Sequence, residues 1–229
     1  MKTCLIVFAK NPVPNQVKTR LVPTLSPEQA ATLYTAFLTD GCAVLATLSD
    51  VDLIIAYTPT EARSDLQALI GDDVLYIPQT GANLGERLAS ATQWATEQGY
   101  TKILLVGSDS PTLPIAYVSK AVTLLNSQDI IIGPSTDGGY YLIGFSATNV
   151  AMTVPFVFEN IAWSRESVFQ QTLARIRSLK ATVGLLPPWY DVDTAEDLAF
   201  LYAHISAMRL ASETVQAVRT ESLLTELFS

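Results

Sequence analysis

The sequence predicts a single α/β domain built on a mostly parallel sheet. Three observations point there. Short β-rich runs alternate along the chain with longer stretches of helical periodicity, which is the order of a parallel sheet with crossover helices. Several of those runs are apolar on both faces, as strands covered by helices on each side should be. And 229 residues at 49% hydrophobic content are enough to bury a sizeable core, with a mean hydropathy of +0.28 that excludes a disordered chain.

Thr3–Ala9 (TCLIVFA) is the first expected strand. A helix follows with a well-marked start: Ser26 in the cap position, Pro27 at the first helical residue and Gln29 three residues after the cap. Leu33, Phe37, Leu38, Leu45 and Leu48 supply its apolar face. Val51–Tyr57, Val74–Ile77, Lys102–Val106 and Asp129–Ile132 read as further strands, followed by Tyr140–Phe145 and Val183–Leu186. Helices are expected over 61–70, 83–98, 115–125, 164–178 and 195–209, the last opened by a Thr194–Asp197 capping box. The region 195–229 forms a C-terminal helical segment of the one domain spanning 1–229. Its apolar set Val215, Val218, Leu223, Leu224 and Leu227 is expected to pack on the same domain, with a second copy of the chain as the alternative. No repeat, low-complexity tract or long linker interrupts the pattern.

Composition removes several function classes. Fourteen basic against 22 acidic side chains give a net charge of −8, which argues against a nucleic-acid or acidic-membrane binder. A single histidine, His204, leaves no His-rich metal site. Two cysteines, Cys4 and Cys42, form no disulfide framework. The apolar stretch Cys4–Ala9 is too short for a signal sequence, and no run is long enough to span a bilayer. A reduced, cytoplasmic protein is expected.

In open α/β sheets ligands bind beyond the carboxyl ends of the strands, so the loops there are where chemistry is sought. The first loop, Lys10–Leu21 (KNPVPNQVKTRL), has no glycine and so carries neither a dinucleotide-binding nor a Walker A motif. It is proline-stiffened and cationic: Lys2, Lys10, Lys18 and Arg20 are four of the 14 basic residues, and no acid precedes Glu28. Lys10, Lys18 and Arg20 therefore suit an anion site, although a solvated loop has the same composition. The fourth strand runs into Gly107–Leu113 (GSDSPTL), with Asp109 at its tip. Asp191 and Asp193 stand two apart before the last capped helix, on one face of an extended stretch. Asp109 and Asp193 together would suit Mg²⁺ or Mn²⁺, which take a few carboxylates and complete their shell with phosphates. Asp193 alone reads better as a helix-entry acid. Gly133–Gly144 (GPSTDGGYYLIG) holds a hairpin signal at Asp137-Gly138, and Gly138 and Gly139 would let a substrate approach backbone. Gln79–Leu88 (QTGANLGERL) places glycines before a helix, as a pocket wall or a capped loop.

Taken in order, FAKNPVPNQVKTRL, QTGANLGERL, GSDSPTL, GPSTDGGYYLIG, WS and DVDTAEDL resemble the GT-A-fold family of radical-SAM/selenodomain-associated transferases, type 1. That family is also described as glycosyltransferases and linked by genome context to arsenosugar biosynthesis. More distantly, the segments are similar to molybdenum-cofactor and 2-phospholactate guanylyltransferases. The resemblance runs from Phe8 to about Leu198. It implies a three-layer GT-A sandwich with a mostly parallel mixed sheet, like the nucleotide-diphospho-sugar transferases. It also implies site roles. Lys10, Lys18, Thr19 and Arg20 would hold nucleotide phosphates, and Gln79, Gly85 and Arg87 would line the nucleotide pocket. Asp109 and Asp193 would bind a divalent metal. Asp137, Gly138, Gly139, Trp163 and Ser164 would face the acceptor, with Asp109, Asp137, Lys18 and Arg20 as catalytic groups. Members commonly have Gly at the position of Asn15 and Asp at that of Asn83; Asn15 is expected to keep the left-handed turn.

Three functions follow. The first is a metal-dependent glycosyltransferase using a nucleotide-diphospho-sugar, with an acceptor hydroxyl near Asp137. The second is a nucleotidyltransferase that joins a nucleoside triphosphate to a phosphorylated acceptor and releases pyrophosphate. The third is a nucleotide-binding module without turnover. Retention of Lys18, Arg20, Asp109 and Asp193 together favours the enzymes.

Overall fold

In the computed structural model, which describes residues 2–146 and 150–228, seven strands form one sheet. The strands are β1 (Thr3–Lys10), β2 (Val51–Thr58), β3 (Leu75–Pro78), β4 (Lys102–Val106), β5 (Ile130–Pro134), β6 (Tyr140–Ser146) and β7 (Val183–Leu185). Their order across the sheet is β3-β2-β1-β4-β6-β5-β7. All neighbours run parallel except those of β6, which is antiparallel to both β4 and β5. This is the mixed, mostly parallel α/β sheet expected from the sequence.

Alternation along the strands sorts the core into two halves. Leu5, Val7 and Ala9 of β1 point to one face with Leu53, Ile55 and Leu104, under α1 (Pro27–Leu45), α2 (Arg63–Ile70), α4 (Ile115–Leu124), α7 (Ala195–Leu210) and α8 (Val218–Phe228). Cys4 and Ile6 point to the other with Ile54, Ile103 and Leu105, under α3 (Leu84–Glu97), α5 (Val150–Phe158) and α6 (Val168–Leu179). Both cysteines are free and buried. No helix among the described residues is long and apolar enough to cross a membrane.

Local chemistry explains most boundaries. Ser26 and Gln29 close a reciprocal capping box on α1, and Thr194 and Asp197 do the same on α7. Two features differ from the sequence reading. The helix expected over 164–178 starts at Val168, because Ser164 takes a left-handed backbone (φ 62°) that breaks helical continuity. Helix α5 is absent from the sequence reading: VAMTVPFVF is apolar all round with Pro155 inside it, so it carries no helical stripe. Its buried Val154, Val157 and Phe158 are sandwiched in the second core half.

The C-terminal segment is two helices, and α8 returns to α1 through a buried acid. Asp40, 3% exposed, accepts from the Thr220 N–H at 2.8 Å and the Arg219 N–H at 3.3 Å. A carboxylate on the free N–H groups of a helix start satisfies them and complements the helix dipole. Leu224 and Val215 bury their side chains in the core half that α1 covers. Asp40→Ala is expected to lower unfolding free energy by about 2 kcal/mol and to speed amide exchange in α8 before the rest of the domain, checked by denaturation and hydrogen-exchange mass spectrometry.

Candidate active site at the carboxyl ends of the strands

Parallel packing brings the loops after β1, β3 and β4 to one edge of the sheet, and the β5–β6 hairpin turns at that same edge. The first loop is pinned from below: Val17 and Leu21 are buried, and Leu21 closes a short turn through its N–H on the Lys18 carbonyl at 2.9 Å. Asn15 (φ 64°) and Lys18 (φ 48°) both adopt left-handed backbone. The resulting curl drives the Lys18 side chain inward, to 3% exposure, over the rings of Tyr34 (5.9 Å) and Phe37 (5.7 Å).

Lys18 Nζ meets three acceptors there. It donates to the Val192 carbonyl at 2.7 Å, to Asp193 Oδ1 at 2.9 Å, and pairs closely with Asp109. Burial alone would push this ammonium's pKa down; the two carboxylates outweigh burial and hold it above the ordinary lysine range. Lys18 is therefore charged, and its three donors are all engaged. Arg20 behaves oppositely. Its side chain is 67% exposed, with Nη1 3.9 Å from Asp193 Oδ2, so its fork is open to a ligand. Lys10 and Thr19 are likewise exposed.

Asp193 reaches Lys18 because its helix-entry duty is done by others: Thr194 and Asp197 cap α7, and Asp197 also accepts from the Asp193 N–H at 3.1 Å. The segment bearing Asp193 is an extended stretch laid between two loops. Trp189 donates to the Pro134 carbonyl and accepts from Thr136, both at 3.0 Å, and Val192 donates to the Asp109 carbonyl at 2.9 Å. Tyr190 and Val192 point into the core, which turns Asp191 and Asp193 the other way, as their spacing predicts. Asp191 does not join the metal pair. It accepts from Ser135 Oγ at 2.7 Å and, in a shorter contact, from Ser110 Oγ, linking the β4 loop to the β5–β6 turn. Burial pushes its carboxyl up to about 6, opposed by the two hydroxyl bonds and aided by the nearby charges of Asp109 and Asp137.

The first glycine after Asp137 has a packing role that the sequence reading did not foresee. Gly138 has φ 89°, and a Cβ there would lie 2.1 Å from the Glu166 carbonyl oxygen. Phe169 also donates its N–H to the Gly138 carbonyl at 2.9 Å. The space over Gly138 is thus filled by the chain entering α6, not left for a substrate. Asp137 is exposed, and its Oδ1 accepts from the Gly139 N–H at 2.9 Å.

On the β3 side, the Gln79 amide donates to the Ala9 carbonyl at 3.2 Å and the Ala56 carbonyl at 2.8 Å, tying β3 to β1 and β2. Arg87 donates from Nε to the Gly81 carbonyl at 3.1 Å and from Nη1 to Gln79 Oε1 at 3.5 Å, which leaves Nη2 of this half-buried side chain without a hydrogen bond among the described residues. Gly85 is buried against Trp163: a Cβ there would meet Trp163 Nε1 at 2.7 Å and the Phe158 carbonyl at 2.8 Å. Both therefore belong to the packing of α3 on the 158–163 connection. Asn83 caps α3 through Oδ1 and donates its amide to Glu86 Oε1 at 2.7 Å. An Asp here would set a carboxylate against Glu86. Ser164 is exposed at the left-handed turn.

Whether a divalent cation suits these residues is decided by the donors. Asp109 and Asp193 converge on one point, offer hard oxygen ligands, and stay 40% and 38% exposed. No third Asp, Glu, His or Cys completes a cage among the described residues. Two carboxylates on an open edge fit Mg²⁺ or Mn²⁺ that draws its remaining ligands from water and phosphate. Two residues escaped the sequence reading. Tyr34 bridges the Lys10 N–H (3.1 Å) and Ser108 Oγ (2.8 Å), and its place on the apolar face of α1 hid it. Ser135, one of the few buried polar residues, lies inside the GPSTDGGYYLIG segment, where the Asp-Gly-Gly run drew the reading instead.

Comparison with known proteins places the chain among transferases. Residues 42–165 match the profile of a family described as an uncharacterized protein conserved in bacteria, DUF2064. The chain is 28% identical to a 2-phospho-L-lactate guanylyltransferase of Methanothermobacter thermautotrophicus, over 89% of this chain and 86% of that one. It is 32% identical to a 3-phospho-D-glycerate guanylyltransferase of Phenylobacterium zucineum, over 79% and 81%. A solved structure from Desulfovibrio desulfuricans G20, assigned to the nucleotide-diphospho-sugar transferases, superposes with a TM-score of 0.88 at 38% identity, covering 98% of this chain and 94% of that one. The chain is a transferase with the nucleotide-diphospho-sugar transferase-like fold.

Two outcomes are expected. Because the Asp191 carboxyl titrates higher in the fold than in the unfolded chain, its contribution to stability is full below about pH 4 and is lost as pH rises through about 6. Asp191→Asn should therefore flatten the stability profile between pH 4 and 7, checked by urea denaturation at several pH values. Gly138→Ala should destabilise by more than about 2 kcal/mol, since left-handed strain and a backbone clash add; equal stability would show that the 164–168 segment yields.

Proposed function

The chain belongs to the DUF2064 family, and from that premise we propose that it is a metal-dependent nucleotidyltransferase acting on a small phosphorylated carboxylic acid. The observation that carries this reading is the charge arrangement at the sheet edge. A paired acid site, Asp109 with Asp193, sits beside the exposed Arg20 fork, with Lys10 at the carboxyl end of β1 and Arg87 bonded to the loop after β3. Support comes from the two guanylyltransferases that cover about four-fifths or more of the chain, whose names place a phosphate and a carboxylate on each acceptor. Guanosine triphosphate is accordingly the first donor to test.

In this reaction an acceptor phosphate oxygen attacks the α-phosphorus of the nucleoside triphosphate, the bond to the β-phosphate breaks, and pyrophosphate leaves. The attacking oxygen is already ionised, so no general base is needed. That agrees with Asp137, whose Oδ1 is engaged by the Gly139 N–H. Arg20 and Lys10 neutralise charge on the departing pyrophosphate, and Arg87 orients the nucleotide from the β3 side. A divalent ion held by Asp109 and Asp193 would add charge neutralisation at the phosphates. Glycosyl transfer from a nucleotide sugar is the second reading, supported by the assignment of the 38% identical structure.

Incubation with GTP, Mg²⁺ and either 3-phosphoglycerate or 2-phospholactate should release pyrophosphate in step with a new diphosphate-linked (phosphoanhydride) product seen by ³¹P NMR. Asp109→Asn should lower kcat/KM at least about a hundredfold, and Arg20→Ala should raise the KM for nucleotide about tenfold. Release of nucleoside diphosphate from a nucleotide sugar, without pyrophosphate from any triphosphate, would favour the second reading instead.

A further inference from the structure

The one place where the two acids converge is held by a cation of the chain itself. Lys18 Nζ is bonded to Asp109, Asp193 and the Val192 carbonyl, and an ammonium has three donors, so this set saturates it. A divalent cation shared by Asp109 and Asp193 would stand against that ammonium, with like-charge repulsion and competition for the same oxygens. We propose that Lys18 is a gate on metal binding, its ammonium holding the cation position between Asp109 and Asp193 until nucleotide phosphates draw it away, so that metal and nucleotide enter together. The proposal builds on the reading of this edge as a nucleotide-and-metal site.

Three features suit a gate. The left-handed backbone of Lys18 sets the direction of a side chain that is 3% exposed, so the ammonium reaches the acids from a fixed root and only its outer bonds have to turn. Lysine, a compact point charge on a flexible stem, exchanges partners more readily than a guanidinium fork locked on two carboxylates. And Arg20, two residues on, is exposed at the rim beside Asp193, positioned to meet an incoming phosphate first. The phosphate then offers Nζ the acceptors it gives up, and the freed carboxylates gain the metal.

Electron paramagnetic resonance titration of Mn²⁺ without nucleotide tests this directly. Lys18→Met removes the ammonium and keeps the stem, so it should bind Mn²⁺ at least tenfold more tightly than the wild type, and Mn²⁺ should raise its Tm by more. A purely structural lysine would give the opposite sign, and equal or weaker Mn²⁺ binding by the folded variant overturns the proposal. Should the variant fail to fold, the wild type labelled with ¹⁵N-lysine supplies the measurement. The Lys18 ammonium resonance should stay in place with Mg²⁺ alone and move with Mg²⁺ plus guanosine imidotriphosphate. Movement with Mg²⁺ alone, or no movement with Mg²⁺ plus the nucleotide, overturns it. The Mn²⁺ titration involves neither donor nor acceptor, so its failure leaves the nucleotidyl-transfer reading standing, and failure of that reading leaves the titration valid.

Discussion

A buried ammonium in need of anions organises this molecule's functional edge. Lys18 is 3% exposed, and a charge that deep is tolerable only when paired and hydrogen-bonded. Its acceptors come from two places far apart in sequence, the tip of β4 and the stretch before α7. Satisfying one lysine therefore joins the first loop, the fourth strand and the chain's last third. The curl that buries it depends on left-handed backbone at Asn15 and Lys18, and on Val17 and Leu21 anchoring the loop in the core. Neither apolar anchor touches the chemistry, yet both decide where the charge goes.

Around that centre the edge divides in two. Toward β3, Gln79 ties three strands together and steadies Arg87, while Asn83 and Glu86 cap α3. Toward β5 and β6, Asp191 braces the β5–β6 turn against the β4 loop, and Gly138 lets that turn pack on the start of α6. Several residues that resemble ligand contacts in the sequence also serve this framework. Gly85 and Trp163 pack against each other, and Gly138 accommodates backbone. The groups left exposed are the long cationic Lys10 and Arg20, beside the part-exposed carboxylates of Asp109 and Asp193. That division suits a site for an anionic, phosphate-bearing ligand.

Much of the fold was legible because its signals are local. Both capping boxes form as the sequence implies, and each strand lies within a residue or two of its expected place, since both-face apolar runs and turn residues fix them. Helix α5 was not legible, because an all-apolar stretch with an internal proline has no period to read. At the site, the pairing of Asp109 with Asp193 was foreseeable from motifs, but the identity of the cation between them was not. Which donor fills a gap between two acids depends on a loop's left-handed turns, and a sequence shows only that Asn15 tolerates one. The role of Asp191 was hidden for a similar reason: its partners Ser110 and Ser135 are common residues that become specific only when strand order sets them on either side of it.

If the Lys18 cluster is what holds the edge together, its members must depend on one another energetically. A double-mutant cycle on unfolding free energy, pairing Lys18→Met with Asp193→Asn, measures that dependence without reference to substrate. A coupling energy above about 1 kcal/mol is expected, as befits a charge-assisted contact with one partner fully buried. Additivity to within about 0.3 kcal/mol would mean that the ammonium and the carboxylate act independently, and would contradict the account of how this site is built.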